Sequence, residues 1–482
     1  MFRNRLTLGR FVIVLVACAW LASSAQSSAA TAFAATGSNL FGLQWLTRAP
    51  SRAASVNALV PSTAGRIGNM VIFDGSPANF AISALQAQQT AGNFDVIWAS
   101  LIPRSWRAGN SSILASRFFI PQVDLLSVGG HTLAWWKTYH PDWILYACNS
   151  SNVPTTLPAY EHYYNYDVPL DIHNPAVISY QIRQLLAPYA INNGYNAIAV
   201  DQVVWQNIMG SALGSGYYGC GTYKNGILTP ANFVRRYTGK YDPQFATDML
   251  NWVKTTRTIL KTDPILAPQN LKFLINHPAG SVYNANETAL IQNVDGIATE
   301  NGFTNYGMYQ LASNAGLFKV TLDWMLYAQR VGTTVMILNT FQQDHGTTVT
   351  QTQLEYGMAT YLMGREQAAE VFIGPASGCC VSGTPDMAYG TEQLHPEYKA
   401  PIGTACAEYF GGGSYDPYNP HIYYRKFTGG LSVVNSGSLP RTYELARLPA
   451  GKVYSDLMGR QITNPLKVNS NDAYVLLTSS GC

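Results

Sequence analysis

Eight short, mostly apolar runs recur along this chain, each bounded by turn residues. They end at Asp74 (MVIFD), Ser100 (DVIWAS), Cys148 (WILYAC), Asp201 (AIAVD), Asn276 (KFLIN), Glu300 (GIATE), Asn339 (VMILN) and Gly374 (VFIG). A continuous apolar run is what a strand needs when both its faces are buried, as in a parallel sheet. Helix-compatible stretches separate most of the runs. Among them are 78–90, 175–192, 243–262, 286–292, 317–330 and 352–365. Asn174-Pro175 and Asp242-Pro243 each pair a capping side chain with a proline at the first helical position. The alternation predicts an α/β fold, a (β/α)8 TIM barrel, with strands from about residue 67 to 374. In such barrels the working residues gather at the carboxyl ends of the strands.

From about residue 421 the pattern changes. IYYRKF, GLSVVNS, TYELARL, GKVYSDL and AYVLL are short strand-like runs parted by Gly, Asn, Ser and Pro, with no helix between them. They predict a small C-terminal antiparallel β-domain. The expected division is a signal segment over 1–30, the barrel over 31–415 and a β-sandwich over 416–482.

Arg3, Arg5 and Arg10 precede the apolar run from Phe11 to Leu21 and then small residues, the pattern of an export signal. The run is too short for a membrane span. Leu15-Val16-Ala17-Cys18 also fits a lipid-anchoring box, but ordinary export to the periplasm or beyond is the favoured reading. Removing the three signal arginines from 30 basic residues leaves 27, against 27 acidic ones. This balance gives no reason to expect nucleic acid or an anionic membrane as partner, and no stable protein partner is implied. Charged residues make up 12% of the chain, about half the usual ~25%. Aromatic residues also make up 12%, which suits neutral sugars as ligands; a Tyr-rich packed core is the competing reading.

Six cysteines follow the signal: Cys148, Cys220, Cys379, Cys380, Cys406 and Cys482. In an exported chain an even number permits disulfides, and no CxxC pair or HExxH points to zinc. Cys379 or Cys380 is expected to pair with Cys406, and Cys148 could meet Cys220 at the barrel rim. The Gly/Tyr-rich stretch 210–226 between them reads as an active-site loop.

Asp201 and Glu300 end apolar runs, so each is expected to emerge at the barrel mouth. A capping or ion-pairing role is the bland alternative for both. Two carboxylates in one barrel mouth are the equipment of a glycosidase, one as nucleophile and one as acid/base, with no metal or organic cofactor required. Asp74 is expected to bind substrate. Asn276 and Asn339 can exchange hydrogen bonds with hydroxyls or satisfy loop backbone. Trp136, with Lys137 beside it, and Trp205 are candidates for contact with a sugar face. Gln202 and His277 lie just beyond strand ends and could touch ligand. The GxGxxG match at 214–219 follows no strand, and no GxSxG is present, so dinucleotide binding and an α/β-hydrolase are disfavoured. A carbohydrate-binding barrel without catalysis is the alternative from another class.

HPDWILYAC, then Asp167-Val-Pro-Leu-Asp171-Ile-His-Asn174-Pro175, then GYNAIAVDQV resemble a family of hypothetical secreted bacterial glycoside hydrolases with barrel folds. In that family a D-x-x-N-P helix start precedes a G-Y-D-G-I-x-x-D strand; here Asn196 and Ala197 replace Asp and Gly. VDGIATENGF is similar to a later strand of the family, and YRKFTGGLSVVNSG with VYSDLMGR resembles its terminal β-domain. The resemblance implies distant kinship with α-galactosidase-type barrels. Those carry a nucleophilic Asp on strand four and an acid/base carboxylate on strand six, where Asp201 and Glu300 fall.

Overall fold

The computed structural model describes residues 68–72, 83–162, 164–299, 302–305, 308–309, 315–337, 351–365, 371–373, 396–406, 422–436, 444–446, 448–469 and 472–482. Asp74, Glu300, Asn339, Cys379 and Cys380 lie outside these, as do the signal segment and Cys18.

Eight parallel strands close into a barrel. In order around it they are Gly68–Ile72, Val96–Trp98, Leu114–Phe119, Ala197–Val200, Lys272–Asn276, Gly296–Thr299, Thr334–Ile337 and Val371–Ile373, numbered one to eight below. Closure comes from strand one, which pairs in parallel with both strand two and strand eight. Helices Ala84–Thr90, Pro103–Gly109, Pro243–Thr262, Ala285–Gln292, Ala315–Arg330 and Gln351–Gly364 fill six of the crossovers. Both predicted caps form: Asn174 accepts from the N–H of Ala176, and Asp242 from that of Gln244. The helix that begins at Pro175 passes through a π turn over Gln181–Leu186 and continues over Ala187–Asn193. Pro188, lacking an N–H, sits just beyond that turn. The helix ends on Gly194, whose φ of +86° suits glycine, and the chain turns from there into strand four.

One strand differs from expectation. WILYAC is not barrel strand three; Tyr146–Cys148 belongs to a separate four-stranded antiparallel sheet with Pro154–Pro158, Tyr218–Tyr223 and Phe233–Arg235. The true third strand is LASRFF. It is not a continuous apolar run because two polar residues are accommodated inside it. Ser116 Oγ donates to the Ile97 carbonyl and accepts from the N–H of Ala99. Arg117 reaches the Ser127 carbonyl and hydroxyl and lies over the Tyr189 ring. WILYAC is apolar because both its faces are covered in the insertion, with Ile144 and Tyr146 in one cluster and Leu145 and Ala147 in another.

The four-stranded sheet is built from the chain that leaves strand three and the chain that leaves strand four. It therefore rises from the carboxyl rim beside Asp201. The Cys148–Cys220 disulfide joins the two parts, as expected. Stretch 210–226 is accordingly more than a loop, since it contributes the strand Tyr218–Tyr223.

The barrel interior is a compact apolar layer of Met70, Val96, Trp98, Leu114, Ala197, Ala199, Leu274, Ala298 and Met336. Alternation along strand four puts Ala197 and Ala199 inside, so Asp201 continues the inward-facing set. At the opposite end Asn196 bridges strands three and four, accepting from the N–H of Ala115 and donating to the Ile113 carbonyl. Asp295, at the start of strand six, accepts from the N–H of Phe273 and pairs with Arg257, a structural role.

The C-terminal region forms a five-stranded antiparallel sheet in the order Ile422–Phe427, Gly430–Asn435, Asp472–Leu477, Tyr454–Ser455, Gln461–Ile462. A two-stranded ribbon, Glu444–Ala446 with Leu466–Val468, shares its core through Leu466 and Val468. The sheet docks on helix Gln351–Gly364. Arg425 donates to the Leu362 and Met363 carbonyls at that helix's end, and Ser432 to Ala359. Cys406 pairs with Cys482 and not with Cys379 or Cys380. The backbone explains the partner: Cys406 N–H donates to Lys426, so residue 406 already lies on the edge of the terminal sheet.

Candidate active site

Asp201 follows strand four directly, with its N–H donating to the Phe119 carbonyl of strand three at 2.8 Å. It is 4% exposed. Oδ1 accepts from the side-chain amide of Asn276 at 2.8 Å and from the N–H of Gln202 at 2.8 Å. Oδ2 is buried and has no hydrogen-bond partner among the described residues. Burial pushes this carboxyl above the ordinary carboxylate range, and the Asn276 amide and Gln202 N–H offset only part of the rise.

The backbone makes the Gln202 contact possible. Gln202 has a φ of +55°, a left-handed conformation that a non-glycine residue adopts at a cost. That turn folds its N–H back onto the preceding carboxylate. The Gln202 carbonyl accepts from the Gln122 side chain at 3.3 Å, and the side-chain oxygens of both glutamines are buried without a partner among the described residues. Three acceptor atoms, on Asp201, Gln202 and Gln122, thus surround one end of strand four with nothing yet donated to them. Burying such atoms costs free energy unless a ligand or water supplies hydrogens.

His277, one residue past Asn276, is buried with both ring nitrogens engaged. Nδ1 faces the Val203 carbonyl, and Nε2 lies 3.0 Å from Glu287 Oε2. Glu287, on helix Ala285–Gln292, also accepts from the indoles of Trp324 at 2.7 Å and Trp205 at 3.3 Å. Burial alone would raise the Glu287 carboxyl; the His277 charge and hydrogen bond, with the two indoles, turn the net displacement downward.

The predicted residues therefore separate. Asp201, Gln202, Asn276, His277 and Trp205 come together around the ends of strands four and five. Trp136 does not serve as a sugar platform. It is fully buried, and its indole donates to Asp124 at 2.7 Å. Helical spacing from Leu133 to Tyr139 turns Trp136 into the insertion's core while Lys137 stays exposed, and no contact joins Lys137 to Asp201 among the described residues. Asp171, from the D-x-x-N-P motif, is structural here, paired with Arg236 at 2.9 Å. Gln122 and Glu287 were not visible as candidates. Gln122 lies after a strand the apolar pattern does not reveal, and Glu287 is a helical acid that sequence alone assigns to a solvated face. No group of three or more His, Cys, Asp or Glu side chains is placed to hold a metal ion among the described residues.

No known family's sequence profile matches the chain, and no curated protein matches it. Among solved structures, a family GH13_31 enzyme superimposes with a TM-score of 0.44 at 13% identity, covering 86% of this chain and 99% of its own. An α-amylase from H. orenii gives 0.42 at 10% identity, with 86% and 99% covered. An α-amylase from Malbranchea cinnamomea gives 0.39 at 10%, with 86% and 96% covered. At these TM-scores the activities of those enzymes do not carry over to this chain.

Proposed function

We propose that this protein is an exported glycoside hydrolase acting on a polysaccharide outside the cytoplasm. The observation that supports this best is the buried, unpartnered Oδ2 of Asp201 at the carboxyl end of a barrel strand. It is held beside two further unfilled acceptors on Gln202 and Gln122. A polyhydroxyl ligand supplies the donors those atoms lack.

In the proposed reaction Oδ2 of Asp201 forms a bond to the anomeric carbon as the glycosidic C–O bond breaks. The leaving oxygen takes its electrons and a proton from Glu300. Water then attacks the same carbon, Glu300 removes its proton, and the bond to Asp201 breaks, so the retained sugar leaves with its hydroxyl. The assignment of Glu300 follows the α-galactosidase-type resemblance of strands four and six. Asp201 must be ionised to attack. The Asn276 amide and Gln202 N–H favour that state at Oδ1 and leave Oδ2 free for carbon.

The test compares purified wild type, Asp201→Asn and Glu300→Gln against a panel of polysaccharides, reading new reducing ends. The expected result is cleavage of at least one polymer by wild type and loss in Asp201→Asn, since the amide is isosteric but not nucleophilic. Glu300→Gln should suffer most on substrates with poor leaving groups. Tight binding with no cleavage of any polymer would instead make the chain a carbohydrate-binding barrel.

A further inference from the structure

His277 and Val203 extend the same two strands that carry the candidate nucleophile and its donor. Asn276 reaches back to Asp201, and the next residue, His277, reaches Val203, two residues past Asp201. These are two parallel rungs between the ends of strands four and five. His277 also stays in register with strand six, its N–H donating to Ala298 at 2.9 Å.

The second rung fixes a charge state. The Val203 carbonyl can only accept, so Nδ1 carries a hydrogen. Glu287 receives two indole N–H groups, which favour its ionised form, and a carboxylate in turn requires a hydrogen on Nε2. The imidazole is then an imidazolium, in an ion pair whose side chains are both 1% exposed. The groups facing it come from four elements: Val203 and Trp205 after strand four, His277 and Gly280 after strand five, Glu287, and Trp324 on helix Ala315–Arg330. Glu287 is the one carboxylate on His277 among the described residues. A buried pair of this kind is weak evidence of net stabilisation, and its best-attested use is to fix one geometry.

We propose that the His277–Glu287 ion pair is a positioning device for Asp201, holding the Asn276 amide on Oδ1 so that Oδ2 stays turned to the ligand. The proposal rests on the reading of Asp201 as the reacting carboxylate. His277 and Glu287 are positioning residues, acting through Asn276 and the backbone after strand four.

Two readouts need no turnover. In protein labelled with 15N-histidine, both His277 ring nitrogens should show imidazolium shifts at neutral pH; a neutral ring in wild type overturns the pair. In protein labelled at aspartate carboxyl carbons, with Asp201 assigned by Asp201→Asn, the Asp201 titration midpoint should rise in Glu287→Gln; an unchanged midpoint overturns the positioning role. If Glu287→Gln does not fold, Trp324→Phe removes one donor without breaking the pair and takes over this readout, with the same two outcomes. Kinetically, Glu287→Gln should lower kcat roughly tenfold or more with KM little changed. A chain that binds but never cleaves would sink the functional reading and still leave both spectroscopic tests decisive.

Discussion

The side-chain amide of Asn276, at the end of strand five, donates to Oδ1 of Asp201, at the end of strand four, across 2.8 Å. One donor on one oxygen makes the two oxygens inequivalent. Oδ1 is occupied by Asn276 and Gln202, and Oδ2 is buried and open, so the carboxylate is oriented before any ligand arrives.

Removing that donor should be felt as a pH effect as well as a rate effect. A hydrogen bond to the charged form lowers a carboxyl's pKa, so its loss in Asn276→Ala raises the pKa of Asp201 further. The acid limb of the pH–rate profile should move to higher pH, and kcat/KM should fall about 10- to 100-fold, the worth of a hydrogen bond to a charged group. An acid limb left where it is in Asn276→Ala would show that Asp201 is not the group titrating there.

The Cys148–Cys220 bridge closes a loop with a sequence separation of 72, across two insertions from different strands. Chain-entropy arguments give a bridge of this span about 4 kcal/mol. Cys148→Ser with Cys220→Ser should therefore lower the denaturation midpoint sharply, measured by chemical unfolding. The β-subdomain beside Asp201 should loosen first, seen as faster amide exchange in Tyr218–Tyr223 than in strands four and five.

Much of this architecture is legible in the sequence, and the exceptions share a cause. Seven of the eight apolar runs coincide with barrel strands, and helix Pro243–Thr262 begins and ends where the Asp242-Pro243 cap and the apolar spacing put it. Periodicity failed at strand three, where Ser116 and Arg117 are satisfied by distant partners that no local pattern encodes. It also misread WILYAC, because an apolar run reports burial and not which sheet does the burying. The same limit governs the site. Asp201 and Asn276 stand out because an acid or amide ending an apolar run must emerge at a rim. Glu287 does not, since only the folded chain brings His277, Trp205 and Trp324 onto it.

Two buried carboxyls far from Asp201 should make stability depend on pH. Burial pushes Glu355 up to about 7, with the nearby charges of Asp472 and Asp456 adding to the rise. Burial pushes Asp167 up to about 6, with Asp124 adding to it. Below about pH 4 both groups are protonated in folded and unfolded chains alike, and neither costs anything. As pH rises, the unfolded chain gives up protons that the folded chain keeps, so stability falls, from about 4 to 6 for Asp167 and about 4 to 7 for Glu355. Glu355→Gln keeps an oxygen to accept from the N–H of Val475 and cannot ionise. It should raise Tm at pH ~8, by up to roughly 3 kcal/mol of stability, and leave it nearly unchanged at pH ~4. Equal shifts at both pH values would mean that packing, not ionisation, is what changed.

Gly280 offers a way to strain the His277–Glu287 pair without touching either residue. A methyl group built on Gly280 would lie 2.5 Å from Glu287 Oε2 and 2.6 Å from its Cδ. Glu287 is itself held by His277, Trp205 and Trp324, so it is not the free end of a flexible side chain and cannot swing aside cheaply. Gly280→Ala should therefore cost about 1–3 kcal/mol, the usual range for overpacking a filled site. Gly239 is the control, since nothing lies within 4 Å of a methyl group there, and Gly239→Ala should be close to neutral. Tryptophan emission adds a second observable, because displacing the carboxylate frees two indole N–H groups and should shift the emission of Gly280→Ala but not of Gly239→Ala. Equal melting temperatures and equal emission in the two variants would mean that the loop after strand five relaxes around the methyl group. In that case Glu287 would not be held as tightly as its four contacts require.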